Sequence, residues 1–331
     1  MMDPLISVML PTKNRYSSLK KALDSLAEQS FNKFELVVVD GGSTDGTKDL
    51  VLSYTKYFPV QWAEKSGGLI PQMNVAYKIA KGRYVVRTDD DVVFSKDWLK
   101  SIVETFEHST EIGGVTGPTI IPEEYASCRD LFHYEDKMRT GNKLWRVLGK
   151  VYYDYFMEGA PYRISHWCKA GCFTLGTNYE KSLSGAVQDV DNLEACNWAV
   201  RKELLEKIGG YDTIYSGIGE YHEPDASFKI RNMGYRLVFN PKAMLNHCPS
   251  TEGFFKERPS SYPRMINFLT FYFRHIKPNT IDKIVRFASY VLFLNAYYVY
   301  QAFNKKQINQ LGAIPGTIVG LAKGLLNRKI A

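Results

Sequence analysis

Strand-like and helix-like segments alternate through the first 120 residues, and this alternation constrains the fold more than any other feature of the sequence. Mainly apolar runs at residues 5–10 and 34–39 are typical of strands that are buried on both faces. Between them, residues 16–29 carry apolar side chains at helical spacing. The pattern predicts an α/β fold in which helices cover both faces of a mostly parallel sheet.

Further elements continue this pattern along the chain. Residues 121–185 are rich in Tyr, Gly and charge and show no sustained period, so we expect them to cross the sheet as an irregular excursion. Residues 1–255 are expected to form one domain with two halves that meet near residue 120, followed by a helical tail at 256–331. Helices are predicted from residue 43 or 44 to about 57 and over residues 70–80, 201–208 and 224–233, and strands over residues 60–63, 83–88 and 235–239.

Polar segments follow three of the predicted strands at the points where the strands end. They are P-T-K-N-R at residues 11–15, D-G-G-S at residues 40–43 and D-D-D at residues 89–91. In open parallel sheets, ligands bind outside the carboxyl ends of the strands, so the three segments are predicted to open on one crevice. Adjacent carboxylates repel one another and are costly to desolvate unless a cation compensates them. Their convergence favours a cation-binding site over a solvated acidic turn.

The formal net charge of +7 is concentrated in the last part of the chain. Residues 256–331 hold twelve Lys and Arg against two acids, a balance of +10, which leaves −3 for the first 255 residues. A mildly acidic body with a basic, aromatic tail indicates that the tail has an anionic and partly apolar partner. A membrane surface fits better than nucleic acid, because the tail carries no recognisable nucleic-acid-binding motif.

Residues 287–303 form the most apolar run of the protein. The run is slightly short for a membrane-spanning helix, which needs ~20 apolar residues, and it contains Asn295 and Gln301. Its basic ends and aromatic side chains, together with a second short basic stretch at residues 314–328, predict monotopic attachment to an anionic membrane face. The alternative is a pair of helices that pack on the body of the protein.

Two features predict a cytoplasmic location. The N-terminal sequence runs into the first predicted strand without the basic region of a signal peptide. The five cysteines are an odd number without a C-x-x-C pair, which indicates reduced thiols rather than a disulfide framework. The protein is therefore expected at the inner face of the cell membrane, as a peripheral or monotopic protein.

Several motifs occur in one order between residues 6 and 247, namely S-V-M-L-P-T-K-N-R, E-L-V-V-V-D-G-G-S-T-D-G-T, D-D-D, G-G-Y-D, H-E-P-D, G-Y-R-L and N-P-K-A. In this combination the chain resembles the family 2 glycosyltransferases, which have the GT-A fold and transfer sugars with inversion. The resemblance implies a UDP- or GDP-linked sugar as donor, a hydroxyl or phosphate as acceptor, and Mg²⁺ or Mn²⁺ as cofactor. It makes residues 1–120 the nucleotide-binding half and residues 121–255 the acceptor and catalytic half. A tail that touches lipid would suit a lipid-linked acceptor, such as a polyprenyl phosphate.

The resemblance also implies roles for individual residues. The D-D-D run resembles the family's D-x-D, in which the last acid binds the metal and the first reaches the ribose or the metal's outer shell, with the middle acid structural. Asp40 is at the position that bonds the nucleotide base, although a turn aspartate is the competing interpretation. Around the donor the resemblance places Pro11, Thr12, Arg15, Asp40, Asn74, Asp89 and Asp90, and around the metal it places Asp91, Asp89 and His247.

Inverting transfer needs a general base, and the sequence leaves two candidates for it. The family pattern E-D-x-D appears here as H-E-P-D, in which Glu223 and Asp225 occupy the acidic positions. Pro224 suits a first helical turn, which would leave Glu223 at the positive end of a helix, where an acid could equally be a plain cap. The residues expected near the sugar and acceptor are His222, Asn197 and Trp198.

Two other functions are compatible with parts of the sequence. Nucleotidyl transfer would need a glycine-rich phosphate loop after the first strand, and P-T-K-N-R contains no glycine. A non-catalytic sugar-nucleotide or membrane-binding protein is the alternative that the irregular H-E-P-D motif keeps open, whereas D-D-D, Glu223 and His247 together favour an enzyme. A core position is the competing interpretation of Trp198, and His222 could orient Glu223 rather than contact the acceptor.

Overall fold

The computed structural model describes residues 4–128, 130–249 and 260–327. Within these residues the strands are β1 (Ile6–Thr12), β2 (Phe34–Asp40), β3 (Val60–Glu64), β4 (Tyr84–Arg87), β5 (Val92–Phe94), β6 (Ile112–Thr116), β7 (Thr119–Ile120), β8 (Gln188–Asp189), β9 (Trp198–Arg201), β10 (Arg236–Phe239) and β11 (Leu245–His247). The helices are α1 (Tyr16–Ala27), α2 (Thr47–Ser53), α3 (Leu69–Ile79), α4 (Trp98–His108), α5 (Asp130–Thr140), α6 (Lys143–Lys150), α7 (Lys202–Lys207), α8 (His222–Asn232), α9 (Ser261–Phe271), α10 (Ile281–Asn304) and α11 (Ala313–Asn327).

Eight of the described strands form one sheet, in the order β3-β2-β1-β4-β9-β6-β10-β8. Strands β1 to β4 run parallel to their neighbours among themselves, and β9 lies antiparallel between β4 and β6. Three shorter strands form a second sheet in the order β5-β11-β7. The predicted α/β fold with a mostly parallel sheet is therefore confirmed, and β9 is the insertion that joins its two halves.

The inner strands of the large sheet are buried on both faces, as the apolar runs of β1 and β2 predict. Along β1 the side chains alternate, so that Ile6, Val8 and Leu10 pack with residues of α1 and α4, whereas Met9 packs on the other face with residues of α3 and α8. Complete burial of a side chain of this size stabilises the fold by roughly 1.5–3 kcal/mol. Packing on both faces holds the strands in register and fixes where their ends lie.

Residues 121–185 differ from the irregular excursion that we predicted. They contain the helices α5 and α6 and a π-helical turn at Val151–Phe156. The apolar side chains Leu144 and Val147 of α6 are exposed, so the segment lacks the usual pattern of polar residues outside and apolar residues inside. The sequence reading also missed β9, a strand of four residues directly before α7.

Helices α9, α10 and α11 pack on the body of the protein, which is the arrangement left as the alternative to a lipid-bound tail. One buried cluster joins Phe268, Phe287 and Tyr290 of these helices to Phe156 and Met157. Among the described residues, no helix combines the length and the apolar character that crossing a membrane requires. Residues 256–259 and 328–331 of the predicted tail lie outside the described residues.

Three buried glycines lie about one turn apart on α11: Gly316 and Gly320 face α9, and Gly324 faces Phe273 directly after it. A Cβ atom added to Gly316 would lie 2.5 Å from the backbone oxygen of Tyr262, and one added to Gly320 would lie 2.6 Å from Cδ1 of Leu269. The absence of side chains at these positions lets the two helix backbones approach closely, as small residues at four-residue spacing do in other helix pairs.

Candidate functional site

The parallel strands bring two of the predicted polar segments into direct contact. Residue Thr12 ends β1, and Asp90 follows β4, the neighbouring strand in the sheet. The Thr12 hydroxyl donates a hydrogen bond of 2.8 Å to Oδ2 of Asp90. The third segment lies at the same edge, because Thr12 pairs with Asp40 in the register of β1 and β2. Pro11 pairs with Val39 one step earlier.

Arg15 compensates the acidic segment from the start of α1. Its Nε lies 3.0 Å from Oδ1 of Asp90, and its Nη2 lies 2.6 Å from Oδ2 of Asp91. Burial raises the pKa of Asp90 to about 7, with Asp91 and Asp89 adding to the shift and Arg15 and Thr12 opposing it. Arg15 and Thr12 therefore hold the carboxylates in place in this structure.

Asp89, Asp91 and His247 form a cluster that could hold a metal ion, with ligand atoms all within 4.8 Å of one another. Strand β11 brings His247 there, because it pairs with Val92 of β5. Nε2 of His247 lies 3.3 Å from Oδ1 of Asp91, and its buried Nδ1 has no hydrogen-bond partner among the described residues. Two carboxylates and an imidazole suit Mg²⁺ or Mn²⁺, so the residues present fit the divalent ion that the sequence predicted.

Arg87, the last residue of β4, is a part of the site that the sequence reading did not identify. Its Nη2 lies 2.7 Å from Oδ1 of Asp89 and 3.5 Å from Oε1 of Glu223, and its Nη1 donates to the backbone oxygen of Ala195. Burial alone would lower the pKa of Arg87, but Asp89 and Glu223 raise it. An arginine inside a buried strand, directly before an acidic run, was the signal that could have revealed this position.

Glu223 lies in the first turn of α8, with 5% of its surface exposed. Nδ1 of His222 lies 2.9 Å from Oε2 of Glu223 and 2.6 Å from the backbone oxygen of Gly219. A carbonyl oxygen only accepts, so Nδ1 carries the proton and His222 orients its neighbour. Burial favours the neutral acid, but His222 and Arg87 outweigh it and lower the pKa of Glu223 to about 2.

Asp225, the other candidate base, lies in an ion network on the opposite side of α8. Its carboxylate is within 3 Å of polar side-chain atoms from four residues, and its own side chain is 1% exposed. Burial alone would raise the pKa of Asp225, but hydrogen bonds from His275 and Lys229 lower it. The network joins α8 to the segment that follows α9. The four partners are Tyr215 at 2.9 Å, Lys229 at 2.7 Å, Arg274 at 2.7 Å and His275 at 2.8 Å.

Asn197 and Trp198 do not face the crevice, which corrects the prediction that they contact the sugar and acceptor. Both are fully buried. Oδ1 of Asn197 accepts a hydrogen bond of 2.9 Å from the Trp98 ring, and the Trp198 ring donates one of 3.0 Å to the hydroxyl of Ser227. Trp198 is therefore a core residue of the central strand β9, and Asn197 satisfies buried polar groups beside it.

Asn74 and Asp40 are also bonded within the protein. The Asn74 side chain donates to the backbone oxygen of Tyr211 at 2.8 Å and accepts from its backbone nitrogen at 2.9 Å, so it holds that loop in place, and its position beside a diphosphate stays a prediction. Oδ2 of Asp40 accepts from the backbone nitrogens of Gly42 at 2.9 Å and Ser43 at 2.7 Å. Asp40 thus stabilises the turn after β2, and its contact with a nucleotide base stays a prediction.

A mostly parallel sheet with paired acids after β4 and a metal-compatible cluster at its edge defines a GT-A glycosyltransferase fold. Residues 7–167 match the model of glycosyl transferase family 2, the family that the sequence motifs resemble. TuaG of Bacillus subtilis is 28% identical over 144 residues, which cover 43% of this chain and 57% of TuaG. The glycosyltransferase MG025 of Mycoplasma genitalium, uncharacterized, is 36% identical over 33% of this chain and 39% of its own length.

Three comparisons extend over more of the chain. The glucosyl-dolichyl phosphate glucuronosyltransferase of Haloferax volcanii is 22% identical over 73% of this chain and 68% of its own length. The mannosyltransferase PcManGT from Pyrobaculum calidifontis, in complex with GDP-Man and Mn²⁺, aligns with 99% of this chain and 88% of its own, at a TM-score of 0.55 and 18% identity. S. aureus TarS 1-349, in complex with UDP-GlcNAc, aligns with 96% and 80%, at a TM-score of 0.59 and 17% identity. These likenesses confirm the GT-A fold.

Proposed function

We propose that the protein is a metal-dependent inverting glycosyltransferase that moves a sugar from a nucleoside-diphosphate sugar to an acceptor hydroxyl or phosphate. The observation that carries the proposal is that Nη2 of Arg87 contacts both Asp89, which belongs to the cluster with Asp91 and His247, and Glu223. An acidic cation site and an ionised carboxylate beside it are the two parts that such a transfer needs.

Asp91, Asp89 and His247 would hold the cation, with Arg15 and Arg87 compensating the remaining negative charge. When bound, the divalent ion takes up charge that develops on the departing nucleoside diphosphate. UDP and GDP are both supported as nucleotides, because TarS is described with UDP-GlcNAc and PcManGT with GDP-Man. The edge formed by Pro11, Thr12 and Asp40 is our proposed position for the nucleotide.

Glu223 is the base of the proposed reaction, and Asp225 is structural. Glu223 is ionised at neutral pH and would accept the proton of an acceptor hydroxyl at Oε1, because Oε1 has only the longer contact of 3.5 Å with Arg87, whereas Oε2 is bonded to His222 at 2.9 Å. A carboxylate of low pKa is a weak base toward a free alcohol, so proton transfer would follow bond formation to the sugar. The four partners of Asp225 leave its carboxylate neutralised inside the fold.

An anionic membrane face is the proposed partner of α6, α10 and α11, at the cytoplasmic side. A helix that is apolar on its buried face and on its outer face needs a second apolar environment. The proposal is supported by the +10 balance of residues 256–331 and by the Haloferax volcanii relative, whose name contains a dolichyl phosphate. The exposed apolar side chains are Leu144, Val147 and Val151 near α6, Ile281, Val285, Leu292 and Phe303 on α10, and Ile314, Ile318 and Leu325 on α11.

Calorimetric titration of UDP and GDP, with Mn²⁺ and then with a chelator, tests the donor site. Wild type is expected to bind one nucleotide in the presence of Mn²⁺, and Asp91→Ala is expected to lose that binding. Glu104→Ala, an exposed acid of α4, is the matched control and should bind as wild type does. Wild type that binds neither nucleotide would contradict the proposal. Metal-dependent binding without release of nucleotide from UDP-GlcNAc or GDP-mannose would favour a non-catalytic sugar-nucleotide-binding protein.

A further inference from the structure

Arg87 joins the two sides of the site through a single guanidinium group. Its Nη2 contacts Asp89 on the donor side at 2.7 Å and Glu223 on the acceptor side at 3.5 Å. Its Nη1 donates to the backbone oxygen of Ala195, which sets the orientation of the guanidinium plane. The side chains of Arg87 and Glu223 are 4% and 6% exposed, so their contact is formed away from bulk water, whereas the Asp89 side chain is 25% exposed.

The two carboxylates compete for one positive charge. Asp89 is 0.8 Å closer to Nη2 than Glu223 is, so its negative charge has the larger share of the guanidinium in this structure. When a divalent cation compensates the negative charge of Asp89, the attraction of Asp89 for Arg87 becomes weaker. The attraction between Arg87 and Glu223 then becomes the dominant one. Filling the donor side would in this way hold the base more tightly.

We infer that Arg87 is a positioning residue that holds the Glu223 carboxylate in place once the donor side is occupied, and this inference rests on the proposed function. Arg87 does not act on the sugar itself. It makes the orientation of the base depend on the presence of the donor, which would favour transfer only when both substrates are in place. The effect of removing it must therefore pass through Glu223.

A second buried arginine shows what a structural role looks like in the same sheet. Arg201 of β9 is 4% exposed and is therefore as deeply buried as Arg87, which is 3% exposed. Its guanidinium donates to three backbone oxygens, those of Phe106, Ser109 and Ile112. Arg87 differs because two carboxylates of the site share it. Arg201 is therefore the matched control for the experiment.

The test compares Arg87→Gln, Arg87→Lys, Glu223→Gln, the double variant Arg87→Gln/Glu223→Gln and the control Arg201→Gln. The measurements are UDP and GDP affinity with Mn²⁺ by calorimetry, and kcat and KM for release of nucleotide from UDP-GlcNAc and GDP-mannose with water as acceptor. Arg87→Gln is expected to lower kcat about 100-fold, a typical loss for a misplaced catalytic group, with KM and Kd within about threefold of wild type. Arg87→Lys keeps the charge and should recover about tenfold of that loss.

The double variant decides whether Arg87 acts through Glu223. If it does, Arg87→Gln changes kcat by less than about threefold once Glu223 is already Gln, because residues that act as a unit are non-additive. A full 100-fold loss in the Glu223→Gln background, or equal losses in affinity and kcat, would overturn the inference and leave the proposed function intact. Wild type that binds neither nucleotide would instead overturn the proposed function. Arg201→Gln should lower thermal stability without a loss of kcat that is larger than its change in Kd. If Arg87→Gln does not fold, Arg87→Lys takes its place in the test.

Discussion

Glu223 and Asp225 are two residues apart in the first turn of α8, and the fold gives them different environments. Residues at this spacing are rotated by about 200° around a helix axis, so they lie on nearly opposite sides. Glu223 contacts His222 and Arg87, whereas Asp225 contacts Lys229 and the segment after α9. The sequence motif treats both acids alike, and the geometry separates them into a candidate base and an anchor.

The first prediction follows from this separation. Glu223→Gln should lower nucleotide release from the donor sugar by roughly 10²–10⁴-fold, the usual contribution of a general base, while affinity for nucleotide and Mn²⁺ stays near that of wild type. Steady-state kinetics and calorimetry on the same preparation measure both quantities. Activity near that of wild type in Glu223→Gln would move the role of base to another group.

The second prediction concerns stability. Asp225→Asn leaves several cationic partners of the network without their counter-charge, which should lower the free energy of unfolding by about 2 kcal/mol or more at pH 7. The folded pKa of Asp225 lies below its ordinary value of 3.8, so the ionised form stabilises the fold above that value. The difference in the free energy of unfolding between wild type and Asp225→Asn should become smaller as the pH falls below about 4.

Urea unfolding at pH 7, 5 and 3 measures this difference. Thr44→Ala, in the turn before α2, is a control that leaves the network intact and should show a constant difference from wild type over this range. A difference between wild type and Asp225→Asn that grows toward pH 3 would contradict the linkage.

The sequence predicted the part of the site that lies in short motifs. Asp89, Asp91, His247 and Glu223 are at positions that the family pattern marks, and the fold brings three of them within 4.8 Å. Arg87 was not predicted as a site residue because its importance comes from a contact with Glu223, which lies 136 positions further along the chain. Asn197 and Trp198 were misplaced because the three-residue turn and the four-residue strand that contain them are too short to show a period.

At the scale of elements, the strands of the first 120 residues were predictable and the later helices were less so. Strands β1, β2 and β4 are buried on both faces, and each reads as a mainly apolar run with a turn at its end. Helix α6 does carry apolar side chains at helical spacing, Leu144, Val147 and Leu148, but it is only eight residues long, so the pattern covers about two turns. A local pattern therefore predicts an element best where the element is long enough to make the pattern distinct, as in the seven-residue strands β1 and β2.

The contact between α9 and α11 gives a third prediction. Gly316→Ala should lower the free energy of unfolding by about 1–2 kcal/mol, because the new Cβ would lie 2.5 Å from the backbone oxygen of Tyr262, and backbone yields little. The steric cost exceeds the gain of about 1 kcal/mol in helix propensity. Thermal unfolding measures the change. Gly185→Ala is the control, because its nearest neighbour is at 3.4 Å, and its midpoint should stay within experimental error of wild type.

At the scale of the whole molecule, the helices of the last third have two apolar faces. On α10, Phe287 and Tyr290 are buried against the body, whereas Ile281, Leu292 and Phe303 are exposed by 82%, 71% and 69%. The prediction of a lipid-contacting tail and its alternative of a tail packed on the body are thus compatible, because each concerns a different face. Composition identified the tail, but the division into two faces depends on the tertiary packing.

The fourth prediction tests the outer face. The double variant Leu292→Ser/Ile318→Ser should reduce binding to vesicles that contain phosphatidylglycerol by about tenfold or more, since two side chains that would each contribute roughly 1.5–3 kcal/mol on complete burial are lost. Co-sedimentation at low and high salt measures the binding, and the basic tail should make it weaker at high salt. Tyr57→Ser is the control, because Tyr57 is an exposed apolar residue outside the helical tail. Equal binding of all three proteins would contradict a lipid-facing role for α10 and α11.

The position of β9 has a consequence for the synthesis of the chain. Strand β9 pairs with β4 on one side and with β6 on the other, yet 110 residues lie between the end of β4 and its start. A ribosome that adds ~5–20 residues per second needs roughly 6–22 s to make that stretch. During this time the edge of β4, and later that of β6 once Ile112–Thr116 has been made, has not yet met its partner, and such edges are prone to pair with other chains. A chaperone that covers exposed strand edges would therefore act on the nascent chain mainly during this interval. The interval ends when Trp198–Arg201 leaves the exit tunnel.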